Sequence, residues 1–244
     1  MKLGAQPPRF DVRTKLFADY VARPMDISDL LAKMPPKLDW DDKLAAPLPD
    51  WGNNEYGDCG FAGLANALAT FRSQRGLPGK TTTADVLTWY HDCTGFEEND
   101  PSTDQGVVLL DALNWARRTG LIFGYVKVDP HNLLHVRLAK FLFGGVYVGA
   151  ALPASAQDTS SPWIGKPGSL DGSDGVGSWG GHCLWSARDC SYRTWGLQQP
   201  ADDQWSLNYV QECYALLSTS WSDVTNPAPN HFAMAELIAD VARI

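Results

Sequence analysis

The apolar positions of this chain change their period part-way along. Up to about residue 143 they recur three and four residues apart; beyond it they gather into short runs rich in β-branched and aromatic residues. In CGFAGLANALATFR, Phe61, Leu64, Leu68 and Phe71 share one helical stripe, with Ala62, Ala65 and Ala69 beside it. Small flanking residues predict a central helix over 59–72, gripped from several sides. Further helices are predicted over 83–93, with a Thr or Asp cap near Thr83, over 105–119, stopped at Gly120, and over 131–143. The runs GGVYVGAALP, GHCLWSARD and CYALLSTSW predict strands, and the segment from Pro153 to Gly181 reads as a long irregular loop pinned by its tryptophans. Helices first and sheet later indicate an α+β fold with a largely antiparallel sheet.

The first 37 residues break this pattern. PPRF, ARPM and MPPK make them an extended arm, with one short helix over 27–33 capped by Asp26 or Ser28, lying on a main body of residues 38–244. At 244 residues, 44% of them hydrophobic and ten of them Trp, the chain has material for one large core. The formal net charge of −8 and the lack of a basic patch exclude nucleic acid as a partner. The longest apolar stretch, Val136 to Leu152, is broken by Arg137, Lys140 and three glycines, so no membrane span is expected; the N-terminus has no signal-peptide core. A location in a host cytoplasm or a virion follows. Five widely spaced cysteines without a CxxC pair argue for reduced thiols rather than disulfides or a zinc site. No HExxH-type spacing supports a metal, and no cofactor is indicated.

Two positions carry candidate chemistry. Cys59 opens the central helix, where unpaired backbone N–H groups and the helix dipole favour a thiolate. Asn53 or Asn54, one loop upstream, offers an amide donor to an oxyanion. His182 follows two glycines at the head of an apolar strand, which strips side chains from one side of its ring. The other histidines, His91, His131, His135 and His231, sit in helical or loop contexts that suit structural or exposed roles.

Together these segments resemble the papain-like cysteine peptidases. LDW at Leu38–Trp40 resembles the start of that family's mature domain, and Asn53, Gly57 and Cys59 stand where it has a glutamine, a glycine and the nucleophile. DQGVVLLDALNWARRTGL, GGVYVGAAL, GGHCLW and YRTWG resemble its later motifs in order. The arm KLGAQPPRFDVR, WGNNEYGDC, STDQG and TWGLQQ are similar to a group of uncharacterised bacteriophage and bacterial papain-fold proteins. The resemblance implies a thiol hydrolase, peptidase or amidase, with Cys59 as nucleophile, His182 as base, Asn53 at the oxyanion and a peptide or protein substrate. It departs at three places. Asn53 is shorter than the glutamine, Gly60 replaces a large residue, and Arg193 stands where an asparagine would orient the histidine. Thr194 or Gln198 then remains to hold the ring. An alternative reading is an inactive virion structural protein on the same fold, using its arm and its tail, NPAPNHFAMAELIADVARI, to contact neighbours. A third is a transglutaminase-like acyl transferase with Asp189 as third member.

Overall fold

A computed structural model describes residues 1–21 and 24–221. The tail expected to contact neighbours lies outside the described residues. Among the described residues six α-helices and six strands follow in the order α1 (Pro24–Lys33), α2 (Cys59–Gln74), α3 (Thr83–Thr94), α4 (Leu109–Arg118), β1 (Gly124–Val128), α5 (Leu133–Phe143), β2 (Val146–Leu152), β3 (Gly180–Ser186), β4 (Ser191–Thr194), β5 (Leu197–Pro200), α6 (Asp203–Tyr209) and β6 (Val210–Leu217). The strands form one antiparallel sheet in the order β1-β6-β2-β3-β4-β5. This is the expected α+β architecture.

The central helix is present where its composition places it. Residues of α2 from Cys59 through Leu68 are all buried, and its glycines are there for space. A β-carbon on Gly63 would come within 2.8 Å of the Cys183 sulfur and 2.9 Å of the Tyr147 ring. Tyr147 in turn donates its hydroxyl to the Gly60 carbonyl at 2.9 Å. Helix and sheet therefore meet at side-chain-free points. Tyr147 faces α2, so by strand alternation its neighbours Val146 and Val148 face the other way, where they share a cavity with α5 and α6.

Local chemistry sets the element ends. Thr82 and Asp85 form a reciprocal capping box on α3, and Gly95 closes it in the left-handed region. Asn132 caps α5, two residues later than the helix predicted from 131. Helix α1 begins at Pro24, so Asp26 and Ser28 lie inside it rather than capping it. Helix α4 begins four residues later than the periodicity suggests. Residues 105–108 are withheld from it because the Val107 backbone bonds Gly4 and Gln6 instead. The strands β1, β4 and β5 and the short α6 are too brief or too polar to show a period of their own.

One buried polar cluster ties the start of the main body to the helix and the sheet. Arg193 on β4 donates from Nε to Asn66 Oδ1 at 3.1 Å and pairs through its guanidinium with Asp41 at 3.3 Å. Thr70 donates to Asp41 at 2.6 Å, Trp185 to Thr70 at 2.9 Å and Trp51 to Asn66 at 2.7 Å. Burial pushes the Asp41 carboxyl up and the Arg193 guanidinium down, and their mutual attraction opposes both shifts. Removing one partner of such a pair leaves the other charged and desolvated. Arg193→Ala is therefore expected to lower unfolding free energy by about 3–5 kcal/mol, measured by chemical denaturation.

Candidate active site

The loop before α2 is bent into place by Trp51 and Gly52, with φ of 63° and 98°. Trp51 is held in that unfavourable left-handed region by its indole bond to Asn66. The loop delivers Cys59 as the first residue of α2. Its sulfur lies at the sheet surface, where the Cys183 N–H donates to it at 3.4 Å. His182, one residue earlier on β3, is fully buried. Its Nε2 lies 2.6 Å from Thr194 Oγ1, and its ring stacks on Trp195 with centroids 4.2 Å apart and planes at 17°. The opposite ring nitrogen, Nδ1, is buried without a hydrogen-bond partner among the described residues.

Of the two orienting candidates, Thr194 reaches the imidazole. Gln198 does not: its amide donates to Ser191 Oγ at 2.6 Å. Arg193 is directed into the Asp41–Asn66 cluster, so its charge is not aimed at the ring as its place in the motif suggested. Asp189 is likewise committed elsewhere, accepting from the Leu38 N–H at 3.0 Å and pairing with Arg137; this removes it as a third member beside His182. Asn53 is buried by the site, but its amide donates to the Tyr56 carbonyl at 3.0 Å rather than standing free for an oxyanion.

The start of the arm fills the cleft. The Lys2 N–H donates to the Asn53 carbonyl at 3.1 Å, and the Lys2 carbonyl accepts from the Trp195 indole at 3.0 Å. Gly4 accepts from Val107 N–H at 2.8 Å, Ala5 donates to Gly181 O at 3.1 Å and Gln6 donates to Val107 O at 3.0 Å. The Gly4 N–H also points at the Cys59 sulfur. A β-carbon on Gly4 would stand 1.8 Å from the Gly57 carbonyl oxygen, so only glycine passes there. Lys2 Nζ pairs with Asp104 at 2.9 Å, and Asp104 also accepts from Tyr90 and from the Gly57 N–H. Gln6 bonds the Gln105 carbonyl and Arg9 pairs with Asp111. These contacts explain the glycines that flank the site: Gly181 and Gly106 also have no room for a β-carbon beside the arm. The sequence marks this contact only through Gly4, the lone glycine of the arm.

Enclosure sets the charge state. Burial pushes the Cys59 thiol up to about 12, despite the N–H of Cys183. Burial, helped by the N-terminal ammonium, pushes His182 down to about 3. With the arm in place the thiol and the imidazole are both neutral.

This geometry belongs to an α+β papain-like fold with a cysteine and a histidine at the junction of helix and sheet. No family model matches the sequence, and no curated protein matches it. The structure is similar to the crystal structure of xylellain, a cysteine protease from Xylella fastidiosa, with a TM-score of 0.64 and 14% identity over 88% of this chain and 96% of that one. That likeness establishes the fold. Among the described residues no helix is long and apolar enough to cross a membrane.

The arm and the pH are linked. The closed state keeps His182 unprotonated down to about pH 3, whereas an open, hydrated site returns it towards about 6.5. Closure is therefore at full strength between about pH 6.5 and the ordinary thiol range, about 8.5, above which the raised Cys59 thiol opposes it. Below about pH 6.5 it weakens by up to about tenfold per pH unit, because the open state takes up the extra proton. Amide exchange protection at Ala5 and Val107, corrected for intrinsic rates, should fall between pH 7 and 4, and His182→Gln should flatten that dependence.

Proposed function

We propose that this protein is a papain-like thiol hydrolase acting on peptide or related amide bonds, and that its N-terminal segment holds the cleft shut. The observation that carries the reading is a buried His182 Nδ1 without a hydrogen-bond partner among the described residues, with Thr194 on the other ring nitrogen, in the residue adjoining Cys183, whose N–H meets the helix-start thiol. When Thr194 Oγ1 accepts from Nε2–H, Nδ1 carries the lone pair. That nitrogen takes the Cys59 proton once the arm has left and the site is hydrated. The thiolate attacks the substrate carbonyl carbon, and the charge on the oxygen falls near the Cys59 N–H at the positive end of α2. Asn53 joins only by turning its amide away from Tyr56. The imidazolium then protonates the leaving amine, and water hydrolyses the thioester to release acid and thiol. Thr194 and Trp195 act by position, fixing the ring's tautomer and its plane.

Gly4→Leu supplies the test in the full chain, because a side chain at that point meets the Gly57 carbonyl and expels the arm. Cys59 in this variant should react with iodoacetamide at pH 6 at least about tenfold faster than in the parent, the thiolate fraction rising as burial is relieved. The variant should also cleave a fluorogenic peptide amide, and Cys59→Ala or His182→Ala should abolish that cleavage. A Cys59 in Gly4→Leu no more reactive than free glutathione, with no cleavage of a peptide library, overturns the reading and leaves the inactive virion component as the better account.

A further inference from the structure

Beside the arm a cavity of about 220 Å³ opens between the backbone of residues 5–8 and the ends of β2, β3 and β6. Its roof is Ala5, Gln6, Pro7 and Pro8; Gly149, Ala150, Gly181 and Glu212 are among its other walls. It adjoins the strip where Gly4 lies against Cys59, and a chain that replaced the arm would pass over it. Glu212 is the one charged side chain on its walls, and only 2% of that residue is exposed. Its Oε2 accepts from the Tyr214 hydroxyl at 2.7 Å. Oε1 has no hydrogen-bond partner among the described residues, and it is not sealed from the cavity as the buried partnerless atoms are. No cation among the described residues lies within ion-pair distance of it; Lys127 acts on it only from further off, its ammonium over the Phe10 ring at 5.3 Å.

The neighbouring strand is shaped around this carboxylate. A β-carbon on Gly149 would come within 2.8 Å of both Glu212 Cγ and Oε1, although Gly149 has an ordinary φ. Glycine there makes room for the acid, and the rest of the wall beside it is small: Ala150, Ala151, Gly180 and Gly181. A desolvated carboxylate with one open oxygen in a small-walled pocket has its best partner in a long cationic side chain, whose methylenes fill the cavity and whose head supplies the missing donors.

We propose that Glu212 makes this cavity a pocket for an arginine or lysine side chain of the substrate, so that peptides with a basic residue close to the scissile bond are preferred. The assignment rests on the thiol hydrolase reading for turnover, but its binding component does not. In full-length Gly4→Leu, sets of peptide amides differing at a single position, scanned over the three residues on either side of the scissile bond, should show at one of those positions a kcat/KM at least about tenfold higher for arginine than for norleucine. Glu212→Gln, which keeps the bond to Tyr214, should bring the two to parity through the arginine substrate alone, with the norleucine kcat/KM and the Cys59 alkylation rate unchanged. Calorimetry on Gly4→Leu with Cys59→Ala should show the same arginine preference in Kd and its loss in Glu212→Gln. Cleavage without an arginine preference overturns the pocket and spares the hydrolase. Binding that prefers arginine through Glu212, with no cleavage by any variant that keeps Cys59, overturns the hydrolase and spares the pocket. Equal Kd values for both peptides overturn the pocket outright.

Discussion

The close approach of the first turn of α2 to strands β2 and β3 is the constraint on which the rest of this structure depends. The Tyr147 hydroxyl rests on the Gly60 carbonyl, Cys183 lies against Gly63, and the Cys183 N–H reaches the Cys59 sulfur. The first two contacts require the absence of a side chain on the helix, and the third sets the Cys59 thiol against β3, the strand that carries His182. Were α2 to stand off by the width of a methyl group, the Cys59 sulfur would lose the Cys183 N–H and the polar cluster around Asn66 and Arg193 would come apart. The same packing that forms the core sets the site.

Occupancy of the cleft and its protonation state are two views of one variable. The arm's backbone bonds run to Asn53, Val107, Gly181 and Trp195, and they remove water from Cys59 and His182. A thiol near 12 and an imidazole near 3 follow from that exclusion. Because the arm binds mainly by backbone, with Lys2–Asp104 and Arg9–Asp111 as side-chain anchors, its grip depends on extended geometry and on glycine at position 4. Each of these backbone bonds is of a kind that another extended chain could make.

What the sequence makes legible follows from length and period. Helix α2 has sixteen residues and an apolar stripe with small flanks, so its position and its centrality can both be read. His182 is marked by the glycines ahead of it. The start of α4 is misplaced because Val107 and Val108 continue the helical stripe, while the backbone of Val107 is claimed by residues about a hundred positions away. Local periodicity carries no information about such a partner. The side chain on the imidazole is harder still, since Thr194, Gln198 and Arg193 all sit within one hairpin and only the pairing register decides which one faces His182.

That register also explains why the substitution at Arg193 costs the site less than the motif suggests. Side chains on a strand alternate between faces, so neighbours on β4 serve opposite sides of the sheet. Arg193 turns to α2 and completes the cluster with Asp41 and Asn66; Thr194, next along, is left facing β3 with its hydroxyl at the ring of His182. A hydroxyl accepts from Nε2–H as an amide oxygen does, but it is shorter, and here the 2.6 Å contact is reached because β3 and β4 pair at Trp185 and Arg193. The contact with the imidazole is made one residue further along the strand than the motif suggests, and Arg193 serves the core. An arginine in that place is therefore a statement about the core of the molecule, and the state of the histidine is read from Thr194 and from the indole stacked upon it.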